Sequence, residues 1–133
     1  MISGSDSDSL MAERMIKNST IRFVNLCGKL SLSQLLDELA SARLVVTNDS
    51  GPFHIAVALG KRTVCISNGN NYGRFTPYPP EMKTRSKVVY PGLLLEIKSE
   101  EERLEKYCKE GSTLDINTIE IDEVYKQIQE LKP

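Results

Sequence analysis

Leu44-Val45-Val46-Thr47-Asn48-Asp49-Ser50-Gly51-Pro52-Phe53-His54 is the stretch that decides the fold. It opens with a branched, apolar run without alternation, the pattern of a parallel strand buried on both faces. A short polar turn follows, and residues 52–59 then read as a helix. Pro52 suits the first helical position and Gly60 the residue just past the end. Thr63-Val64-Cys65-Ile66-Ser67 is a second β-rich run. Strand, tight turn, helix and strand in succession make the unit of an α/β fold with a parallel sheet and right-handed crossovers.

Upstream, the serine-rich acidic opening Met1-Ile2-Ser3-Gly4-Ser5-Asp6-Ser7-Asp8 offers N-caps for a helix over residues 10–17, with Leu10, Met11 and Met15 as its apolar side. Ile21-Arg22-Phe23-Val24-Asn25-Leu26-Cys27 reads as a short strand ending at Gly28. Ser31 and Gln34 match a capping box, opening a helix that carries Leu32, Leu35, Leu36 and Leu39 and runs to about Ala42. Downstream, residues 68–87 turn to Asn, Gly, Pro, Tyr and Arg, a long loop of the kind that is usually functional. A weak strand is expected over residues 87–90. Ser99 caps a helix to about Lys109, and Asp122 caps a last one whose apolar stripe is Val124, Ile128 and Leu131. The chain opens at what looks like the final residues of a strand, so the sheet is expected to lack its first strand or strands. An edge exposed in that way would favour self-association.

The 133 residues have room for one domain, and 40% hydrophobic with 26% charged residues is an ordinary globular composition. Seventeen basic against eighteen acidic residues give a formal charge of −1. No basic surplus points to nucleic acid, and no polybasic run points to an anionic membrane. Apolar runs fall far short of a bilayer span, and the N-terminus has neither the basic nor the apolar part of a signal peptide. Cys27, Cys65 and Cys108 are odd in number with no C-x-x-C pair, as expected of reduced, structural thiols in a cytosolic protein. Two sequons, at Asn18 and Asn48, are then coincidental.

In open parallel sheets, ligands bind beyond the carboxyl ends of the strands, where Asp49, Ser50, Gly51 and Pro52 fall. Gly51 lets a ligand approach the backbone, and the free amides and positive end of the following helix favour a phosphate. Asp49 is placed to accept hydrogen bonds from the turn or from ligand hydroxyls. His54, the single histidine, falls in the first turn and could donate to a phosphate oxygen. The same residues are also sound capping chemistry, so on these grounds a binding turn and a structural turn both stand.

Gly28-Lys29-Leu30-Ser31-Leu32, the segment through Val46, and Asn48-Asp49-Ser50-Gly51-Pro52-Phe53-His54-Ile55-Ala56-Val57-Ala58-Leu59-Gly60 together resemble glycosyltransferase family 9, the lipopolysaccharide heptosyltransferases that use ADP-heptose. The family pattern is G-K-x-S/T-L opening a helix, a strand, then D-S/T-G-x-x-H-x-A-x-A-L. The likeness runs over residues 2–80, and residues 119–131 look like the closing helix. The resemblance implies the C-terminal, nucleotide-sugar-binding half of a GT-B fold, a Rossmann-like parallel sheet flanked by helices, in one partial domain over residues 1–133. It implies inverting transfer with no cofactor and no obligatory metal. By position, Ser50, Gly51 and Pro52 would meet the diphosphate, Asp49 and His54 would frame the sugar-phosphate side, Leu30 would pack on the base, and Asp8 would contact the ribose. That last loop, residues 4–8, is less regular than the family's Gly-rich version.

The acceptor-binding domain and the catalytic base of such enzymes lie in an N-terminal half with no counterpart here, so the chain is expected to be inactive alone, with no catalytic residue of its own. Its implied partners are an ADP-sugar and, through that absent domain, a glycolipid or polysaccharide acceptor. Its implied place is the cytoplasm, peripheral to the inner membrane in the full-length enzyme. A second reading is a non-catalytic nucleotide-binding or assembly module. A third, an epimerase relative, is disfavoured because that group's Asp-Ser-Gly turn is usually followed by Gly and an acidic pair, where this chain has Pro52 and His54. Lys29 lacks the flanking residues of a phosphate loop but could reach the diphosphate as a point charge. Arg74, Lys83 and Arg85 could neutralise donor or acceptor phosphates but read first as a solvated loop, the 100–105 acidic run reads as a solvated helix face, and Tyr72, Phe75, Tyr78 and Tyr90 as packing or loop anchors. No second His or Cys is spaced with His54 for a metal.

Overall fold

A computed structural model describes residues 1–108 and 111–131, with side chains at all of these but 103, 105 and 106. The chain divides into two compact units, Met1–Glu38 and Leu39–Pro133.

The first unit carries a 3-10 turn, Asp6–Asp8, and α1, Ser9–Lys17. The apolar side expected of α1 is not its buried side. Leu10, Met11 and Met15 are 54–60% exposed, and Ala12 is the buried residue. The strand expected over residues 21–27 is reduced to one parallel bridge between Ile2 and Asn25. Ile2 donates to Val24 O at 2.8 Å and accepts from Leu26 N at 2.8 Å, after which Gly28 N pairs with Gly4 O. Pairing stops because the chain turns at Gly4 into the 3-10 turn. α2, Leu32–Ser41, starts in this unit behind the expected capping box. Ser31 N donates to Gln34 Oε1 at 2.8 Å, and Gln34 N to Ser31 Oγ at 3.3 Å.

The second unit holds a parallel sheet in the order β1-β2-β3, with β1 Val45–Asn48, β2 Thr63–Ile66 and β3 Ser86–Val89. α3, Gly51–Ala58, joins β1 to β2, and Gly60 closes it at φ +67°. Gly60 N bonds Val57 O and Lys61 N bonds Ala56 O, each at 2.9 Å, the paired bonds of a Schellman cap. The expectation that the first of these strands is buried on both faces is corrected. Among the described residues, α3 packs mainly on β1 and β2 and α6 (Ile121–Glu130) on β2 and β3, so the central strand β2 is covered by both helices. Thr63, Val64 and Cys65 are therefore fully buried, while Val46 on the edge strand β1 is 46% exposed.

The weak strand expected over residues 87–90 is a full member of the sheet, beginning at Ser86. A helix the sequence reading did not contain, α4, Gly92–Ile97, follows it. Leu94 and Ile97 are fully buried against Tyr90. α5 spans Glu101–Cys108, and Lys109, its expected end, lies outside the described residues. Glu100 O accepts from Leu104 N at 2.8 Å, so Glu100 holds the cap position expected of Ser99. In α6 the cap is Glu120; Asp122 sits inside the first turn with Glu123, where an acid still complements the helix dipole. Val124, Ile128 and Leu131 are half-buried, the stripe expected of them. All three cysteines are free thiols. Among the described residues no helix is long and apolar enough to cross a membrane.

Candidate functional site at the carboxyl ends of the strands

Register places the site. Asn48 pairs with Ile66 and Ile66 with Val89, so the three strands end level. One residue further, Asp49 N still bonds Ile66 O at 3.2 Å, and Ser67 N bonds Val89 O at 3.0 Å. The turn over residues 49–52 and the loop after β2 thus leave the sheet side by side, where open parallel sheets carry ligands.

Ser50 has extended backbone at φ −153°, the geometry of an N-cap, yet its side chain makes no capping bond. Its hydroxyl lies instead 3.4 Å from Asn48 O. The first turn of α3 therefore keeps its positive end without an internal anion or side-chain acceptor. Gly51 is exposed, and a Cβ built there meets no atom within 4 Å, so open space stands over the start of the helix. Pro52 supplies the preset φ of an early helical residue.

Asp49 accepts a hydrogen bond on Oδ2 from Ser67 Oγ at 2.8 Å, a contact across the two strand ends and not within its own turn. Its Oδ1 is buried and has no partner among the described residues. Ser67 is 1% exposed and also accepts from Gly69 N at 3.1 Å. Asn48, Asp49, Ser67, Asn68, Leu114 and Asp115 line a recess of about 390 Å³. That lining contains carboxylates, carboxamides and a hydroxyl but no cation, which suits hydroxyl groups better than phosphate. Ser67, Asn68 and Asp115 were not singled out from sequence. The legible signal was that Ser67 closes a strand aligned with the one leading into Asp49; Asp115 arrives from a distant segment and left none.

His54 is half-buried, with Nδ1 2.7 Å from Tyr78 Oη. Its ring also stands edge-on to Phe75, centroids 6.2 Å apart, and Phe53 lies 5.7 Å from the Tyr78 ring. Burial pushes the Tyr78 phenol above its usual value, which keeps its proton available. The Tyr78–His54 hydrogen bond fixes the plane of the imidazole whichever of the two atoms carries the shared proton. Tyr78, read from sequence as an anchor, is also what orients this histidine.

Asp8, Lys29 and Leu30 belong to the first unit. Asp8 Oδ2 accepts from Ser5 N at 2.8 Å and Ser5 Oγ at 2.5 Å, and these bonds hold its carboxyl below the usual range. Lys29 Nζ bonds Asn25 O at 3.0 Å, and Leu30 is half-buried. The unit does bring the two expected segments together: Gly28, at φ +69°, packs so closely on the 4–8 loop that a Cβ would lie 2.7 Å from Asp6 Oδ1. In the long loop Arg74 stacks 4.7 Å over Phe75. No group of three His, Cys, Asp or Glu able to hold a metal ion occurs among the described residues.

Residues 1–104 match the family described as "Glycosyltransferase family 9 (heptosyltransferase)". The chain is 30% identical over 135 residues to lipooligosaccharide heptosyltransferase 2 of Haemophilus ducreyi, covering 96% of this chain and 36% of that protein. It is 36% identical over 67 residues to the Haemophilus influenzae protein of the same name, covering 50% and 18%. Escherichia coli lipopolysaccharide heptosyltransferase 2 matches at 33% over 66 residues, covering 49% and 18%. The crystal structure of a family 9 glycosyl transferase from Veillonella parvula superposes with a TM-score of 0.71 at 20% identity, covering 97% of this chain and 35% of that one. At its fullest coverage, then, the chain spans about a third of the length of these relatives.

Proposed function

The chain belongs to glycosyltransferase family 9, and from that premise we propose that it binds the donor of an inverting sugar transfer in lipopolysaccharide or surface polysaccharide synthesis, with ADP-heptose as the donor. The uncapped N-terminus of α3, with open space over Gly51, is the observation that carries this reading. Ser50, Gly51 and Pro52 receive the diphosphate there, and His54 Nε2 donates to a phosphate oxygen. Asp49 faces the glycosyl side.

Transfer requires removal of a proton from the acceptor hydroxyl, and that role is assigned to a residue outside this chain, in the part of the enzyme that holds the glycolipid acceptor at the cytoplasmic face of the membrane. Calorimetric titration of the chain with ADP, ADP-heptose and GDP tests the donor assignment. Saturable binding of both adenine ligands, stronger than that of GDP, is expected; an absence of nucleotide binding overturns it. Heptose transfer by this chain alone would contradict the assignment of the base elsewhere.

A further inference from the structure

We propose that Ser67 is a positioning residue of the donor site, acting through Asp49; the inference rests on the donor-binding reading above. Ser67 is 1% exposed, at the end of the central strand. A hydroxyl has one proton to give. Gly69 N donates to Ser67 Oγ at 3.1 Å, and the Ser67 proton goes to Asp49 Oδ2 at 2.8 Å. This is the sole hydrogen bond to the Asp49 carboxylate among the described residues, because Oδ1 is unpartnered. The terminal torsion of an aspartate is broad, so without that bond nothing polar fixes how the carboxylate is turned.

Asp49 and Ser67 both line the 390 Å³ recess. The orientation of one wall of that recess therefore depends on a side chain that is itself almost sealed from solvent. Ser67 needs no contact with the ligand: its bond to Oδ2 fixes how the Asp49 carboxylate is turned in the wall that the donor would meet.

The test is a double-mutant cycle on ADP-heptose affinity, with thermal midpoints recorded for each variant. Ser67→Ala is expected to weaken binding about 10-fold, the scale of one hydrogen bond to a charged group. In an Asp49→Ala background the same change is expected to matter less than about 2-fold, since the partner is gone. Ser67→Cys, near-isosteric with a weak donor, falls between Ser and Ala and serves in the cycle should the alanine variant not fold. Equal losses in both backgrounds overturn the proposal, because a role confined to the Gly69 loop gives additivity; an unchanged affinity overturns it too. Failure of the unsubstituted chain to bind ADP-heptose is a different result, which removes the donor reading and this inference with it.

Discussion

Gly51 separates binding from folding more cleanly than any other residue of the turn. It opens α3, its φ is not left-handed, and a Cβ there meets nothing within 4 Å. Replacing such a glycine by alanine stabilises a chain by about 0.4–1 kcal/mol through the unfolded state, and valine forfeits part of that gain through its branched side chain. The thermal midpoint of either variant should stay level or rise by a few degrees, at about 2–8 °C per kcal/mol for chains near this size. Binding should move the other way. A phosphate oxygen must come to about 2.9 Å from a backbone nitrogen, and valine methyl groups fill that approach. Losing one charge-assisted hydrogen bond costs about 1.5–3 kcal/mol, and weakening the dipole contact about 0.3–1 more. The sum is a rise in the ADP Kd of roughly 20- to 1,000-fold for Gly51→Val, with Gly51→Ala smaller. Calorimetry at fixed salt beside a thermal melt reads both quantities. Gly60→Ala is the control: at φ +67° it should destabilise without altering ADP affinity. Wild-type affinity in both Gly51 variants would refute a phosphate at this turn, and a large loss of stability would refute the open space over it.

Two further outcomes follow from the packing. Burial pushes the Cys65 thiol from 9.0 to about 12, with the nearby Asp49 charge adding to the shift. A raised native value means stability is intact below the unfolded thiol's pKa and declines from about pH 9 upward as the unfolded chain ionises first; urea midpoints should fall across that window, and Cys65→Ala should flatten the fall, an equally steep fall counting against the assignment. Gly28→Ala forces a Cβ to within 2.8 Å of Asp6 Cα at φ +69°, so hydrogen exchange in residues 1–38 should accelerate markedly, by the equivalent of about 1–3 kcal/mol; unchanged protection there would mean the close approach is not maintained in solution.

The elements that could be read from sequence are those whose ends carry their own chemistry. The Ser31–Gln34 box and the Gly60 cap formed the bonds their residue types imply, and Pro52 stands at the start of α3. Readings that depended on neighbours distant in sequence fared worse. The burial of β1 depended on which helices reach it, and the strand expected at residues 21–27 on how far Ile2 could pair. α4 was invisible because Leu93, Leu94 and Leu95 in a six-residue element show no period, and its stability comes from Tyr90 and the fully buried Leu94 and Ile97. The position of the candidate site was legible, since strand, Gly and helix start are local. The tie between Asp49 and Ser67 joins residues eighteen apart and waited on the register of the sheet.

α3 has a further consequence. Its residues from Pro52 to Val57 are all buried or half-buried, Phe53 and Ala56 completely, and its far end is locked by the Gly60 cap. A helix wedged in that way cannot slide or tilt to meet a ligand without disturbing both strands beneath it. On the donor-binding proposal, recognition at its tip is lock-and-key on the phosphate side: the amides are already aimed, and little ordering entropy is lost when an anion arrives. Adaptation to a different sugar would have to come from the walls of the neighbouring recess, where Ser67, Asn68, Leu114 and Asp115 sit on loops, while the helix stays put.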